Sequence, residues 1–159
     1  MGLDMYLSRS KFVGFNYEHK RKELEDLGIV LPDLSFAGID IKKVTTITED
    51  VMYWRKANAI HKWFVDRVQN GNDDCEEYLV SSEKLEELYN TIKLALSSRD
   101  NEEIGNIEDI LPTQCGFFFG GTDYDEYYWG DLVSTKEMLE KLFKDKTWDT
   151  WDYKYQSSW

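Results

Sequence analysis

Two cysteines, two prolines and two histidines are all this chain holds of the residue types that staple, break or ligate. Cys75 and Cys115 lack CxxC spacing, so reduced thiols are expected ahead of a disulfide or a cysteine zinc site. His19 and His61 stand in different segments with no HExxH-like spacing, so no metal and no cofactor is expected. With so little proline and no long polar low-complexity tract, the chain reads as ordered rather than disordered. No apolar run approaches the length of a bilayer span, and the opening Met1-Gly2-Leu3-Asp4-Met5-Tyr6-Leu7 carries neither a basic leader nor a hydrophobic signal core. A cytoplasmic protein without membrane contact is the expectation. Positive charge is also in deficit: 19 Lys and Arg face 31 Asp and Glu, for a net charge of −12. Binding of duplex nucleic acid, which draws on a field of cations, is therefore disfavoured.

What is abundant is aromatic side chain, 15% of 159 residues including six tryptophans. That length fits one domain, 1–159, large enough to bury a core without staples. The rings gather in Phe117-Phe118-Phe119-Gly120-Gly121-Thr122-Asp123-Tyr124-Asp125-Glu126-Tyr127-Tyr128-Trp129 and in the tail 145–159, where such density fills cores, builds interfaces or stacks on planar ligands.

Leu3, Met5 and Leu7 alternate with polar neighbours, the period of a half-buried strand over residues 2–8. Residues 9–38, broken by Gly28 and Pro32, read as a variable excursion. Ile39, Ile41, Val44 and the following threonines favour extended structure to Ile47. Thr48 with Glu49 and Asp50 then looks like the capped, acidic start of a helix running to about Asn70. Tyr78-Leu79-Val80 is a short strand, and Leu85, Leu88, Tyr89, Ile92, Ala95 and Leu96 stripe a second helix. One helical turn is expected at 107–110. Two strands, 116–119 and 124–129, are expected as a hairpin around Gly120-Gly121, and Ser134-Thr135-Lys136-Glu137 matches a capping box opening a third helix to about Lys144. The order favours an α+β fold: a small, mainly antiparallel sheet with about three helices packed on it and 145–159 as an aromatic tail.

The central helix carries the strongest functional signal. At about 100° per residue its apolar half holds Tyr53, Trp54, Ala57, Ile60, Phe64 and Val65, with His61 near the centre and Asn58 toward one edge. An unpaired buried amide or imidazole costs about 1–3 kcal/mol, so these two must bond other core groups, bind water or face a ligand. Structural hydrogen bonding is the leading reading. Catalysis by His61 would need a partner such as Asp123 or Asp125, and no nucleophile signature surrounds it. Asp123, Asp125 and Glu126 suit a solvated turn better than paired catalytic carboxylates. The glycines near 116–121 have no following Lys-Ser/Thr, so a phosphate loop is excluded.

A small anionic or nucleotide-like ligand would suit Trp54, Arg55, Asn58, His61 and Lys62, with Tyr124 and Tyr128 stacking from the hairpin. The opposite half of the helix places Met52, Lys56, Trp63 and Arg67 together, a candidate contact surface for the domain itself, a second copy or a planar ligand.

Tyr53-Trp54-Arg55-Lys56-Ala57-Asn58-Ala59-Ile60-His61-Lys62-Trp63-Phe64, with the opening Gly2 to Leu7, resembles a family of small proteins carried by bacteriophages and prophages. Asp74-Cys75-Glu76-Glu77-Tyr78, Leu111-Pro112-Thr113-Gln114-Cys115-Gly116-Phe117-Phe118-Phe119-Gly120 and Tyr124-Asp125-Glu126-Tyr127-Tyr128 look like its other blocks. The resemblance covers most of 1–8 and 47–144. Members often carry a phosphoglycerate-kinase label, which this chain contradicts by its shortness and its lack of a nucleotide-binding loop. The resemblance implies a phage accessory protein in the host cytoplasm and brings no catalytic residues. Polar residues in an apolar face beside many rings favour action by binding a ligand or a host protein, with counter-defence as one role. The rival class is a small hydrolase or transferase using His61 with a carboxylate.

Overall fold

Alternating burial sets the first strand: Leu3, Met5 and Leu7 point inward while Tyr6 stays outside. The computed structural model describes residues 2–159, apart from the side chain of Glu102. Its elements run β1 (Asp4–Phe12), α1 (Glu18–Asp26), β2 (Thr46–Arg55), α2 (Asn58–Arg67), β3 (Tyr78–Val80), α3 (Ser82–Ser98), α4 (Ile107–Ile110), α5 (Glu126–Phe143) and β4 (Asp152–Ser158), with short 3-10 turns between them. The sheet is antiparallel with order β2-β1-β4-β3, an α+β fold. Five α-helices are present among the described residues: three longer ones, the single turn α4 where a helical turn is expected, and the short α1.

Three expectations are corrected. The segment 51–55 is not helical but the end of β2. Its apolar residues fit either period, and pairing with β1 decides: Lys56 N–H donates to the Leu3 carbonyl at 2.8 Å, and Tyr53 bonds Asp4 while its ring meets Tyr6 at 5.4 Å. Lys56 then turns the chain with a left-handed φ of 61°, and α2 begins only at Asn58.

The aromatic hairpin is absent. Asp125 caps α5, accepting from the N–H groups of Tyr127 and Tyr128 at 3.0 and 3.1 Å. Ser134 to Glu137 therefore lies in the middle of a helix. The deciding pattern is Tyr128, Leu132, Thr135, Leu139 and Leu142, a buried stripe at helical spacing that packs on the Leu85, Leu88, Ile92 and Ala95 stripe of α3.

The tail is an interior strand. Tyr153, Tyr155 and Ser157 alternate inward along β4, which pairs with β3 in the register Tyr78 to Tyr155 and Val80 to Tyr153. Tyr155 stacks on Phe64 at 3.9 Å and 7°, and Arg9 lies 4.2 Å over the Trp151 ring.

The chain groups into two compact units, one from residues up to Arg9 together with Asp50–Trp159, the other Ser10–Glu49. The excursion expected over 9–38 overlaps the second. That unit holds α1, 3-10 turns at Ser35–Ala37 and Ile41–Lys43, and an Arg21 bond to the Phe15 carbonyl at 2.7 Å.

Because β4 sits between β1 and β3, removing residues 152–159 should abolish cooperative folding rather than trim an appendage. Circular dichroism melts would check this. A truncated chain that still melts cooperatively within a few degrees of the full chain would contradict the interior placement.

Candidate functional site

The first turn and a half of α2 places both polar core residues. His61 is wholly buried, and its two ring nitrogens are both engaged: Nδ1 lies 2.8 Å from the Tyr155 hydroxyl and Nε2 lies 3.0 Å from Asp73 Oδ2. Burial lowers the His61 pKa against the opposing pull of Asp73, so the ring is neutral and carries one proton. A carboxylate only accepts, which places that proton on Nε2 and leaves Nδ1 to accept from Tyr155 O–H. Burial also raises the Tyr155 pKa well above that of a free phenol. Asp73 gathers two more donors, Gln114 Nε2 at 3.2 Å and Trp159 Nε1 at 2.9 Å. The contact to Asp73 is thus a hydrogen bond rather than an ion pair, and no imidazole lone pair is left over for proton abstraction.

Asn58 is equally committed. Its Nδ2 donates to the carbonyls of Phe119 (3.2 Å) and Gly121 (2.7 Å), and its Oδ1 accepts from Gln114 N–H at 3.2 Å. These bonds fasten the 113–121 loop to α2. Gly116 is required within that loop, since a Cβ there would lie 2.5 Å from the Phe119 ring.

Beside this staple is a cavity of about 310 Å³, formed by the β2–α2 junction, the fastened loop and the start of α5. Arg55 and Lys56 line it, and among the described residues neither makes an ion pair with a carboxylate. Ala57 supplies no side-chain cap to α2, and the N–H groups of Ala59 and Ile60 have no backbone acceptor among the described residues. This corner of the cavity favours an anion. Asp123, Asp125 and Asp131 line it as well. Asp125 is spent on capping α5. Asp131 is half-buried, and desolvation, with the charge of Asp125 adding to it, raises its pKa to about 6. Among the described residues, no three His, Cys, Asp or Glu gather as a metal-holding group.

Of the residues singled out from sequence, Arg55, Asn58 and Tyr128 line this cavity, joined by Lys56. The others are placed elsewhere. Trp54 is buried and donates from Nε1 to Thr135 Oγ1 at 2.8 Å, so it is a core residue. His61 lies in the sealed chain described above. Lys62 pairs with Asp66 at 2.8 Å, and Tyr124 packs on the Tyr128 ring at 4.9 Å. Trp63, expected on a contact surface, is only 5% exposed, because α2 is buried on nearly every side and leaves just Lys62, Asp66 and Arg67 outward among its residues. With Met52 in a strand and Lys56 in a turn, the four residues Met52, Lys56, Trp63 and Arg67 share no helical face. The carboxylate beside His61 is Asp73, whereas Asp123 and Asp125 belong to the cavity.

Asp73, Gln114, Tyr155 and Asp131 went unselected in the sequence. Asp73 looked like one acid among several in a solvated loop. Asp131 was recoverable from the stripe through Tyr128, Leu132 and Thr135, on whose margin it falls.

No helix among the described residues is long and apolar enough to cross a membrane. Compared with known proteins, the chain matches no family model, no curated protein and no solved structure.

Replacing His61 by Gln should cost about 1–3 kcal/mol in urea unfolding at pH 7.5, since Tyr155 and Asp73 lose well-placed partners. His61 has a folded pKa below its unfolded value near 6.5, so its contribution is complete above pH 6.5 and is lost as the pH falls toward the depressed folded value. The decline is best read in an Asp131→Asn background, because protonation of Asp131 below about pH 6 acts in the opposite sense. An unchanged stability in His61→Gln, or an unchanged slope, would contradict the sealed neutral imidazole.

Proposed function

We propose that this protein is a bacteriophage accessory factor of the host cytoplasm that binds a small nucleotide-like ligand in the cavity between α2 and α5, withdrawing it without chemical conversion. The observation that carries this reading is Asp131, a half-buried carboxylate with a raised pKa and no cation offsetting it among the described residues. Structural ion-pair networks explain many perturbed groups, but this one lines a cavity, the setting in which a perturbed carboxylate marks a binding site.

A nucleotide matches the two chemistries present. A phosphate suits Arg55, Lys56 and the free N–H groups at the start of α2. A ribose hydroxyl or exocyclic amine donates to Asp131, relieving the cost of holding that carboxylate out of water. Tyr127, 84% exposed at the cavity wall, offers a ring face for a base. Binding without conversion is supported by the site's inventory: the imidazole of His61 is sealed away and Asp125 is spent on a helix cap, which leaves Asp123 and Asp131 as hydrogen-bond acceptors.

Thermal-shift and calorimetric titration with nucleoside mono- and diphosphates, alongside inorganic phosphate, tests the reading. A nucleotide at one hundred times its Kd should stabilise the fold by about 2.7 kcal/mol. Arg55→Ala should weaken binding roughly tenfold or more, the worth of one charge-assisted hydrogen bond. Failure of every nucleotide to raise the melting temperature at millimolar concentration would sink it.

Asp131→Asn should separate stability from binding. Its folded pKa of about 6 exceeds the ordinary 3.8, so the native carboxylate costs stability at neutral pH, and that cost fades as the pH falls from about 6 to 3.8. The variant should therefore melt higher than the wild type at pH 7 while binding nucleotide more weakly. A variant that is both less stable and unimpaired in binding would contradict the assignment.

A further inference from the structure

The two sides of the cavity differ in chemistry. Arg55 and Lys56 come from the β2–α2 junction, whereas Tyr127 and Asp131 come from α5. Residues four apart on a helix are neighbours, with Cβ atoms about 5–6 Å apart, so the Tyr127 ring and the Asp131 carboxylate stand on one face. A ring face beside a carboxylate suits a flat heterocycle, which stacks on the ring and turns one edge to the carboxylate. A ribose would use the carboxylate and leave the ring idle.

Asp131 is also the acid left to meet such an edge. Asp125 is held by the N–H groups of Tyr127 and Tyr128, and Asp123 lies before the helix begins. Thr135 Oγ1 bridges the Asp131 carbonyl at 2.6 Å and the Trp54 indole N–H at 2.8 Å, which fixes this turn of α5 on β2. The half-buried carboxylate itself receives no hydrogen bond among the described residues, and lost hydration and the charge of Asp125 both raise its pKa.

An ionised carboxylate only accepts, through two oxygens in one plane. Two adjacent donors in that plane match it, whereas an acceptor beside a donor is repelled. The bases divide on this test. Adenine and cytosine set an amine beside an acceptor ring nitrogen, uracil flanks its N–H with carbonyl oxygens, and hypoxanthine has a single N–H. Guanine alone of these presents N1–H and the N2 amine together.

We propose that Asp131 makes this cavity selective for guanine nucleotides, accepting from N1–H and the N2 amine of a base stacked on Tyr127. The inference rests on the nucleotide proposal above and adds the identity of the base.

Calorimetric titration of the full chain with GMP, IMP, AMP and 2′-deoxy-GMP tests it at pH 7.5, where a carboxyl group of pKa about 6 is ionised. GMP should bind about tenfold or more tighter than IMP, which lacks only the N2 amine, and than AMP, whose N1 faces the carboxylate with a lone pair. Loss of the 2′-hydroxyl should leave affinity unchanged. Asp131→Asn sets a donor beside an acceptor, the complement of N1–H and O2 in xanthine, so this variant should lose GMP and gain xanthosine monophosphate. A gain of that kind separates altered recognition from a damaged fold. Equal affinities for GMP, IMP and AMP overturn the guanine assignment while leaving a nucleotide site in place. So does an affinity that falls about tenfold with the 2′-hydroxyl, which gives Asp131 to the ribose, or an Asp131→Asn chain that still prefers GMP to xanthosine monophosphate. Binding of none of these nucleotides overturns the cavity's proposed function and this inference with it.

Discussion

The neutral imidazole of His61 is the joint between three parts of the fold that sequence keeps far apart. Through Nδ1 it holds Tyr155 on β4, and through Nε2 it holds Asp73 in the loop before β3; Asp73 in turn holds Gln114 and Trp159. The arrangement depends on burial outweighing charge. A protonated ring would have two donors and no acceptor, so the Tyr155 O–H would lose the acceptor for its proton in a wholly buried position. The stacking of Phe64 on Tyr155 and the edge contact of Phe119 with His61 at 5.2 Å exclude the water that would otherwise compete. Satisfied on all sides, a buried polar chain of this kind specifies one packing of the core, whereas the same groups half satisfied would weaken it.

Asn58 extends the same logic toward the surface. One turn before His61, its three hydrogen bonds fix a loop rich in phenylalanine and glycine that has no regular secondary structure to hold it. Gln114 links the two polar centres, giving its N–H to Asn58 and its side chain to Asp73. The wall of the cavity is therefore set by core hydrogen bonds rather than by the loop's own propensity. These bonds hold a segment with exposed Phe117 and Phe118 and a left-handed φ of 65° at Phe118.

Where the pattern in the sequence was local, it was sufficient: the opening strand and the α3 stripe follow from periodicity, whereas Asn58 and His61 are inward because α2 is covered on nearly every side. Where two periods competed, it was not. Val51 to Arg55 is apolar enough for either state, and its fate rests on β1, fifty residues earlier. Tyr127-Tyr128-Trp129 has strand-like composition, yet Asp125 and the stripe through Leu142 make it the first turn of a helix. The tail concealed its alternation of Tyr153, Tyr155 and Ser157 behind an excess of rings. The partners of His61 were illegible for a different reason: hydrogen bonding over 12 and 94 residues leaves no spacing to read.

Burial shifts His61 and Asp131 in opposite directions, and only one of the two is compensated by hydrogen-bond partners. His61 is depressed by burial and fully compensated, so nothing further can be gained by bringing a molecule to it. Asp131 is raised by burial and by the charge of Asp125, with no cation paired to it among the described residues. The start of α2 repeats the contrast in its backbone. A side-chain oxygen at position 57 would cap the helix, but alanine stands there, and the nearest amide, Asn58, is turned away to the loop. Its bonds to the loop add stability, while the same choice leaves two N–H groups open beside Arg55 and Lys56. A single residue thus fastens the core to the cavity wall, which ties the proposed ligand site to the packing of the core.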